Sequence, residues 1–332
     1  VNERLVSGIQ PTGEVQLGNY LGALREWVAD QAHFESFFFL VDLHALTVAH
    51  DPSKIGAATV SGAAMLLACG IDPGIATVFV QSHVPAHAEM AWVMECVATT
   101  GELSRMTQYK DKRGRSEEVR AGLFTYPALM AGDILLYDAS YVPVGDDQVQ
   151  HLELTRTLAQ RFNTRYGETL LIPRPKLAKS ATRVMDLANP LAKMSKSSVS
   201  DAGRISLTDP PEVIEKKVRR AQTDTYGEVV YAPGNQERAG ITNLLEILAA
   251  LQDEDPNVIA KRYTSYGSLK NDLAEVLVER IGAIQGRYSD YLADPGELAS
   301  ILARGSLRAR EVAEVTLARV YEALGLLSAK GG

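Results

Sequence analysis

The sequence predicts an α/β fold: a doubly wound parallel sheet followed by an α-helical second domain. Three observations carry this. Apolar runs of strand length alternate with helix-length segments through the first half, and strands joined by crossover helices pair in parallel. Phe37–Val41 is apolar at every position, as a strand buried on both faces requires. From about Glu212 onward only helical patterns remain.

In order, Leu5–Ile9 is a strand candidate, and Gly18–His33 reads as a helix with Leu21, Leu24 and Val28 on one face. Phe37–Val41 is the second strand, and helix Pro52–Gly70 stops at its glycine. Strand Thr77–Val80, helix Ala86–Thr99, strand Tyr141–Val144 and helix Asp147–Tyr166 follow. Beyond Pro210-Pro211 the helical candidates are Glu212–Ala221, Ile241–Leu251, Asn257–Tyr266, Leu269–Leu292 and Ser306–Leu324, with Asp294-Pro295-Gly296 as an interruption. In such open sheets ligands bind at the carboxyl ends of the strands.

Composition narrows the function. A chain of 332 residues, 46% hydrophobic, is long enough for two lobes and a stable core without staples. Its two cysteines, Cys69 and Cys96, build neither a four-ligand zinc site nor a disulfide framework, and both are expected to be buried and inert. No run of eighteen apolar residues exists and Val1–Gln10 has no signal-peptide pattern, so no membrane partner and a cytoplasmic location are expected. A net charge of −7 argues against a histone-like nucleic-acid coat. Residues 174–204 nevertheless carry seven basic side chains against Asp186 and Asp201, either a solvated face or a phosphate-facing track.

Three stretches carry chemistry. Ser7-Gly8-Ile9-Gln10-Pro11-Thr12-Gly13, followed by Leu17-Gly18-Asn19, leaves a strand through a Gly/Pro loop and enters a helix. Helix-start amides attract phosphate, although a plain strand-to-helix turn fits equally well, and the stretch is neither a Walker A loop nor a dinucleotide fingerprint. Lys193-Met194-Ser195-Lys196-Ser197 sets two mobile charges among hydroxyls, suited to a departing diphosphate or to a solvated linker. In the apolar run Tyr126–Tyr137, helical spacing puts Tyr126, Met130, Asp133 and Tyr137 on one face. A carboxylate in such company needs a donor, either an indole N–H or a structural partner within the protein.

Taken together, these stretches resemble a known family. Lys-Met-Ser-Lys-Ser is a signature of class I aminoacyl-tRNA synthetases, and Leu17-Gly18-Asn19 is similar to the end of their first motif. With Val41-Asp42-Leu43-His44-Ala45, Gly101–Gln108 and Pro143-Val144-Gly145-Asp146-Asp147-Gln148, the chain resembles the bacterial tryptophanyl-tRNA synthetases over essentially its whole length. The fold this implies is Rossmann-like.

The resemblance implies roles residue by residue. Gln10, Pro11, Thr12, Gly18 and Asn19 match the first ATP-binding motif. Gly145, Asp146 and Asp147 match the loop at ribose and adenine, and Val184 a position at adenine. Lys193, Met194, Ser195, Lys196 and Ser197 match the loop over pyrophosphate, with Lys112, Lys193 and Lys196 as the charge-stabilising lysines. Asp133 matches the acceptor of the indole N–H, and Tyr126 and Gln148 lie near the ammonium. Val6, Met130, Val142 and Val144 line the indole pocket, and His44 lies close by, although a core histidine remains an alternative for it.

The implied substrates are L-tryptophan, ATP with Mg²⁺ and tRNA(Trp), with no protein-ligated metal. The implied organisation is a catalytic domain at 1–206 with a C-terminal helix (about 293–332) packing back on it, a tRNA anticodon-recognition domain at 207–292, and a homodimer, hinted at by the apolar helix bearing Met90, Trp92, Val93 and Met94.

Departures are Gln16 in place of the motif's leading His or Thr, Val6 in place of a frequent Phe, and Gly132 beside Asp133; the last two suggest a roomier pocket. His83, His87 and His151 read as structural or surface residues. Arg308, Arg310, Arg319 and the Lys216–Arg220 group read either as tRNA-backbone contacts or as a charged face with partners such as Glu215–Arg219. Tyrosyl-tRNA synthetase and a synthetase-like regulatory paralogue are the rivals.

Overall fold

The structure is a computed structural model that describes residues 3–11, 15–107, 120–145, 148–176, 183–194 and 201–327. Five parallel strands form one sheet: β1 (Arg4–Ile9), β2 (Glu35–Leu40), β3 (Thr77–Val80), β4 (Tyr141–Pro143) and β5 (Arg174–Lys176), in the order β3-β2-β1-β4-β5. Register pairs Val6 with Phe37, Phe39 with Phe79 and Leu5 with Tyr141. The chain steps outward from β1 to β3, then returns to the other side of β1 for β4. The order therefore reverses between β1 and β4, where a crevice opens at the carboxyl ends of the strands.

Alternation along the strands sorts side chains onto two apolar layers. Leu5, Phe38, Leu40 and Val78 face one layer, whereas Val6, Phe37, Phe39 and Phe79 face the other. The first layer is covered by helix α1 (residues 17–30), in which Tyr20–Leu24 forms a π-helical segment, and by α3 (Pro52–Ala68). Trp27 of α1 stacks on Phe38 at 5.0 Å. A short helix α2 (Asp42–Ala45) follows β2. The second layer is covered by α4 (Ala86–Val97), α6 (Ala121–Leu135) and α7 (Val149–Tyr166), with the short α5 (Thr100–Ser104) capped by Thr99.

The later helices are α8 (Pro211–Arg219), α9 (Ala239–Gln252), α10 (Pro256–Ala260), α11 (Tyr266–Ala293) and α12 (Pro295–Ala323). Helices α8, α9 and α11 extend the first apolar layer, so the helical region continues that core. Helix α12 runs past edge strand β3, its Leu298 and Ile301 in one layer and its Ala309 and Val312 in the other.

The crossing is close enough to exclude a side chain: a Cβ on Gly305 would lie 1.8 Å from the Val78 carbonyl oxygen. The helix thus covers an edge that would otherwise be open to pairing. The opposite edge is β5, Arg174-Pro175-Lys176, too short and too polar for its sequence to announce a strand. Among the described residues no helix is long and apolar enough to cross a membrane.

The cysteines divide. Cys69 is buried, which pushes its thiol up to about 12, whereas Cys96 is exposed, contrary to expectation. Gly305→Ala should lower stability by about 1–3 kcal/mol, because backbone cannot yield as a side chain does. Urea unfolding measures this; a midpoint equal to the parent's would mean that α12 does not cross β3 at this residue.

Candidate active site

A cavity of about 530 Å³ opens between the carboxyl ends of β1 and β4. One wall is Ser7 to Pro11, leaving β1, with Asn19 from the start of α1. The opposite wall is Val142, Val144 and Gln148, and the floor is Tyr126, Met130 and Asp133 from α6, with Val6 and His44 beside them. The sequence therefore anticipated Gln10, Pro11, Asn19 and all eight indole-side residues as neighbours.

Asp133 is 3% exposed and accepts hydrogen bonds from three side chains. His44 Nε2 donates to Oδ2 at 2.8 Å, while Gln81 Nε2 and His87 Nδ1 donate to Oδ1 at 2.7 and 2.6 Å. A carboxylate only accepts, so each histidine nitrogen facing it holds a proton. His87 Nε2 in turn lies 2.7 Å from the Tyr137 hydroxyl. Burial and the Asp133 charge raise Tyr137 well above the usual phenol range, so it keeps its proton and can donate to that nitrogen. Burial alone would push the Asp133 carboxyl up, but hydrogen bonds from His44 and His87 outweigh it and hold the group at about 2.

These contacts decide between readings that the sequence leaves open. Asp133 does not wait unpaired for a ligand, because three protein donors occupy three of about four acceptor positions. His87, expected to be structural or at the surface, is fully buried and is one of those donors. Gln81 escaped sequence reasoning altogether, although its place just past the carboxyl end of β3 is where open α/β sheets carry functional residues. His151 is likewise buried, its Nε2 2.6 Å from the Tyr126 hydroxyl, which burial raises above the usual phenol range.

The second motif starts as a hairpin. Met194 N–H bonds the Val184 carbonyl at 3.1 Å and Asp186 N–H the Ala192 carbonyl at 2.9 Å, with Met185 opposite Lys193. The hairpin lies on the first motif: a Cβ on Gly18 would touch Val184 at 3.7 Å and Met194 at 3.9 Å. Val184 and Met194 are buried there, whereas Lys193 is exposed. Gly18, Val184, Lys193 and Met194 thus form a cluster adjoining the cavity rather than its wall, and Gly145 follows the wall residue Val144. Thr12, Lys112, Asp146, Asp147, Ser195, Lys196 and Ser197 lie outside the described residues.

The expectation for Gly132 changes. Gly132 does not widen the cavity, because its missing Cβ would meet Ala91 N at 3.0 Å: it lets α4 approach α6. Gln16 is buried, with its N–H bonded to Asn19 Oδ1 at 3.3 Å. Several basic residues considered for tRNA are engaged within the protein. Arg319 forks onto Asp138, Arg308 pairs with Glu35, Arg310 bonds the His83 carbonyl, and Lys217 is buried between Asp201 and Asp209. Arg219 pairs with Glu215 at 2.9 Å, as its spacing implied. Among the described residues no cluster of three or more His, Cys, Asp or Glu side chains is arranged to hold a metal.

A carboxyl held below its ordinary value stabilises the fold above about pH 4 and loses that contribution as pH falls through about 2. Asp133→Asn should therefore cost on the order of 2 kcal/mol at neutral pH, a deficit that shrinks in acid as the parent's carboxyl gains its proton. Denaturant unfolding from about pH 7 to about pH 2 measures it; a constant gap throughout contradicts an anionic Asp133.

Comparison with known proteins bears directly on this geometry. The family model of class I tRNA synthetases (W and Y) matches residues 2–282. Tryptophan–tRNA ligase 1 of Streptomyces coelicolor is 50% identical, covering 98% of this chain and 97% of its own. Tryptophan–tRNA ligase of Caldanaerobacter subterraneus is 47% identical over 98% of this chain and 99% of its own. The tryptophanyl-tRNA synthetase of Mycoplasma pneumoniae superposes with a TM-score of 0.91 at 38% identity, covering 99% of each chain. That of Campylobacter jejuni, solved with ADP and tryptophan, gives 0.83 at 32% identity over 97% of this chain and 100% of its own. Likeness of this extent, in sequence and in backbone together, makes the chain a member of the class I tRNA synthetase family that comprises the tryptophan and tyrosine enzymes.

Proposed function

We propose that this chain is a tryptophan–tRNA ligase, which activates L-tryptophan with ATP to tryptophanyl-adenylate and pyrophosphate and then transfers tryptophan to tRNA(Trp). The observation that carries the reading is Asp133: a buried anion at the floor of an apolar cavity, with three acceptor positions filled and one left for a ligand donor. An indole supplies one N–H on an otherwise apolar ring, which suits the apolar Val6, Met130, Val142 and Val144 and the Asp133 carboxylate in one cavity. Near-complete coverage of curated tryptophan–tRNA ligases supports the same substrate.

The chemistry requires no nucleophilic side chain. The tryptophan carboxylate attacks the α-phosphorus of ATP and pyrophosphate leaves; a terminal ribose hydroxyl of tRNA then takes the tryptophanyl group. The protein's part is positioning and charge stabilisation. Gln10, Pro11, Thr12, Gly18 and Asn19 hold the triphosphate side, Gly145, Asp146, Asp147 and Val184 the nucleoside side, and Tyr126 and Gln148 the ammonium. Lys193 and Lys196, with Met194, Ser195 and Ser197 of the same motif, and Lys112 from a separate stretch draw the departing diphosphate, whose Mg²⁺ arrives with ATP. ADP and tryptophan bound together in the Campylobacter jejuni enzyme support an adenine nucleotide here.

The reading extends to organisation. Residues 1–206, with the returning helix, form the catalytic part and 207–292 the anticodon-recognition part, and the reaction belongs to the cytoplasm, where tRNA is charged. The active unit is a homodimer. Of the apolar helix taken as its hint, Met90, Val93 and Met94 are buried within the chain, which leaves Trp92, 67% exposed, in one groove with exposed Leu46. A groove of about 410 Å³ beside Trp92, with Ala91 and Leu129 in its wall, suits a second copy.

Pyrophosphate exchange run with each amino acid should proceed with tryptophan alone. Asp133→Asn should lose about 100-fold or more in kcat/KM for tryptophan, since the site's donors then face an amide. Exchange with tyrosine, or an unimpaired variant, would overturn the assignment. Light scattering should give twice the 36.0 kDa chain mass, and Trp92→Glu should return it to the single-chain value; a monomeric parent would remove the dimer from the account.

A further inference from the structure

The hairpin that begins the lysine motif has an inner and an outer edge. Val184 and Asp186 turn their backbone groups inward to Met194 and Ala192, so Met185 between them turns its N–H and carbonyl outward. Among the described residues no strand pairs with this edge. Instead one side chain does: Asn243 of α9, 2% exposed, accepts from Met185 N–H at 2.9 Å through Oδ1 and donates to the Met185 carbonyl at 3.0 Å through Nδ2. A primary amide holds donor and acceptor side by side, as a peptide edge demands, and both backbone groups are satisfied at once.

The far end of the same helix meets the helix that carries the end of the first motif. Arg25, on the helix that begins with Gly18 and Asn19, bonds the Ala250 carbonyl and pairs with Asp253 at 2.7 Å. Helix α9 and the Asp253 that caps it therefore contact both the lysine hairpin and the helix that carries the end of the first motif, while Gly18 itself meets Val184 and Met194.

We propose that Asn243 is a positioning residue for the activation step: by bracketing Met185 it fixes the hairpin, and with it Lys193 and Val184, over the first motif, so that nucleotide and not amino-acid binding depends on it. The inference rests on the lysine hairpin acting on ATP. Asn243 touches no wall of the tryptophan cavity, so the effect falls on one substrate.

The test uses the full-length enzyme in pyrophosphate exchange, with Asn243→Leu, Asn243→Asp and Lys193→Ala. Asn243→Leu removes both bonds and should raise KM for ATP by about tenfold while KM for tryptophan stays within about twofold. Asn243→Asp is the sharper probe. A protonated carboxyl mimics the amide, accepting through its carbonyl and donating through its hydroxyl, whereas the ionised form sets a charge against the Met185 carbonyl. Burial raises the pKa of such a carboxyl, so KM for ATP should lie near the parent value at about pH 6 and climb about tenfold by about pH 8.5, a slope absent from the parent and from Asn243→Leu.

Asn243→Asp at the acid end also keeps the bracket intact where Asn243→Leu folds poorly. Equal changes in both KM values, or a pH-independent Asn243→Asp, would overturn the proposal. If Lys193→Ala leaves ATP kinetics untouched, the nucleotide role of the hairpin itself fails, an outcome distinct from either of these.

Discussion

The buried charge on Asp133 is the constraint that organises the active site. An ionised carboxylate out of water costs several kcal/mol unless donors surround it, and charge-assisted hydrogen bonds return about 1.5–3 kcal/mol each. Here the donors come from separate elements: His44 from α2, Gln81 from the turn after β3, and His87 from α4. The carboxylate therefore ties the ends of two strands and two helices to α6 at the bottom of the cavity. Tyr137, stacked on Phe37 at 4.8 Å, carries the network into the apolar layer behind it. On the proposed function, a carboxylate locked in this way does not reorient to suit a different ligand, which favours a single N–H donor.

The sheet supplies the place and the helical region supplies the alignment. The reversal of strand order between β1 and β4 makes the crevice, and the loop after β1 opens into it beside the start of α1. The lysine hairpin is pinned from both sides, by Gly18 beneath and by Asn243 outside. Arg25 of α1 bonds the other end of α9, so a helix that contributes no wall to the cavity touches both the hairpin and the helix after the first motif. On the proposed function, substrate recognition and nucleotide alignment thus rest on different parts of the molecule.

Much of this is legible in the sequence, for identifiable reasons. Phe37–Val41 announces a doubly buried strand because every position is apolar, and its residues alternate between the two layers. Asp133 stands out as a lone charge in an apolar helix, and its cavity neighbours follow from helical spacing and motif resemblance. What escapes is convergence. Gln81, His87 and His151 lie far along the chain from the side chains they hold, and no local pattern shows that they meet. Strand β5 escapes because an edge strand of Arg, Pro and Lys lacks the apolar signature of a central one. Arg319 and Lys217 read as candidates for an RNA face until their partners Asp138 and Asp209 are seen beside them.

The central claim is that Asp133 receives the indole N–H through the one acceptor position its protein partners leave. The most direct measurement is a crystal structure of the enzyme with tryptophan bound. The account predicts the indole nitrogen within about 3 Å of Asp133 Oδ2, with the His44, Gln81 and His87 hydrogen bonds retained. A ring seated in the cavity with its nitrogen directed elsewhere, or a carboxylate turned away from it, would contradict the account.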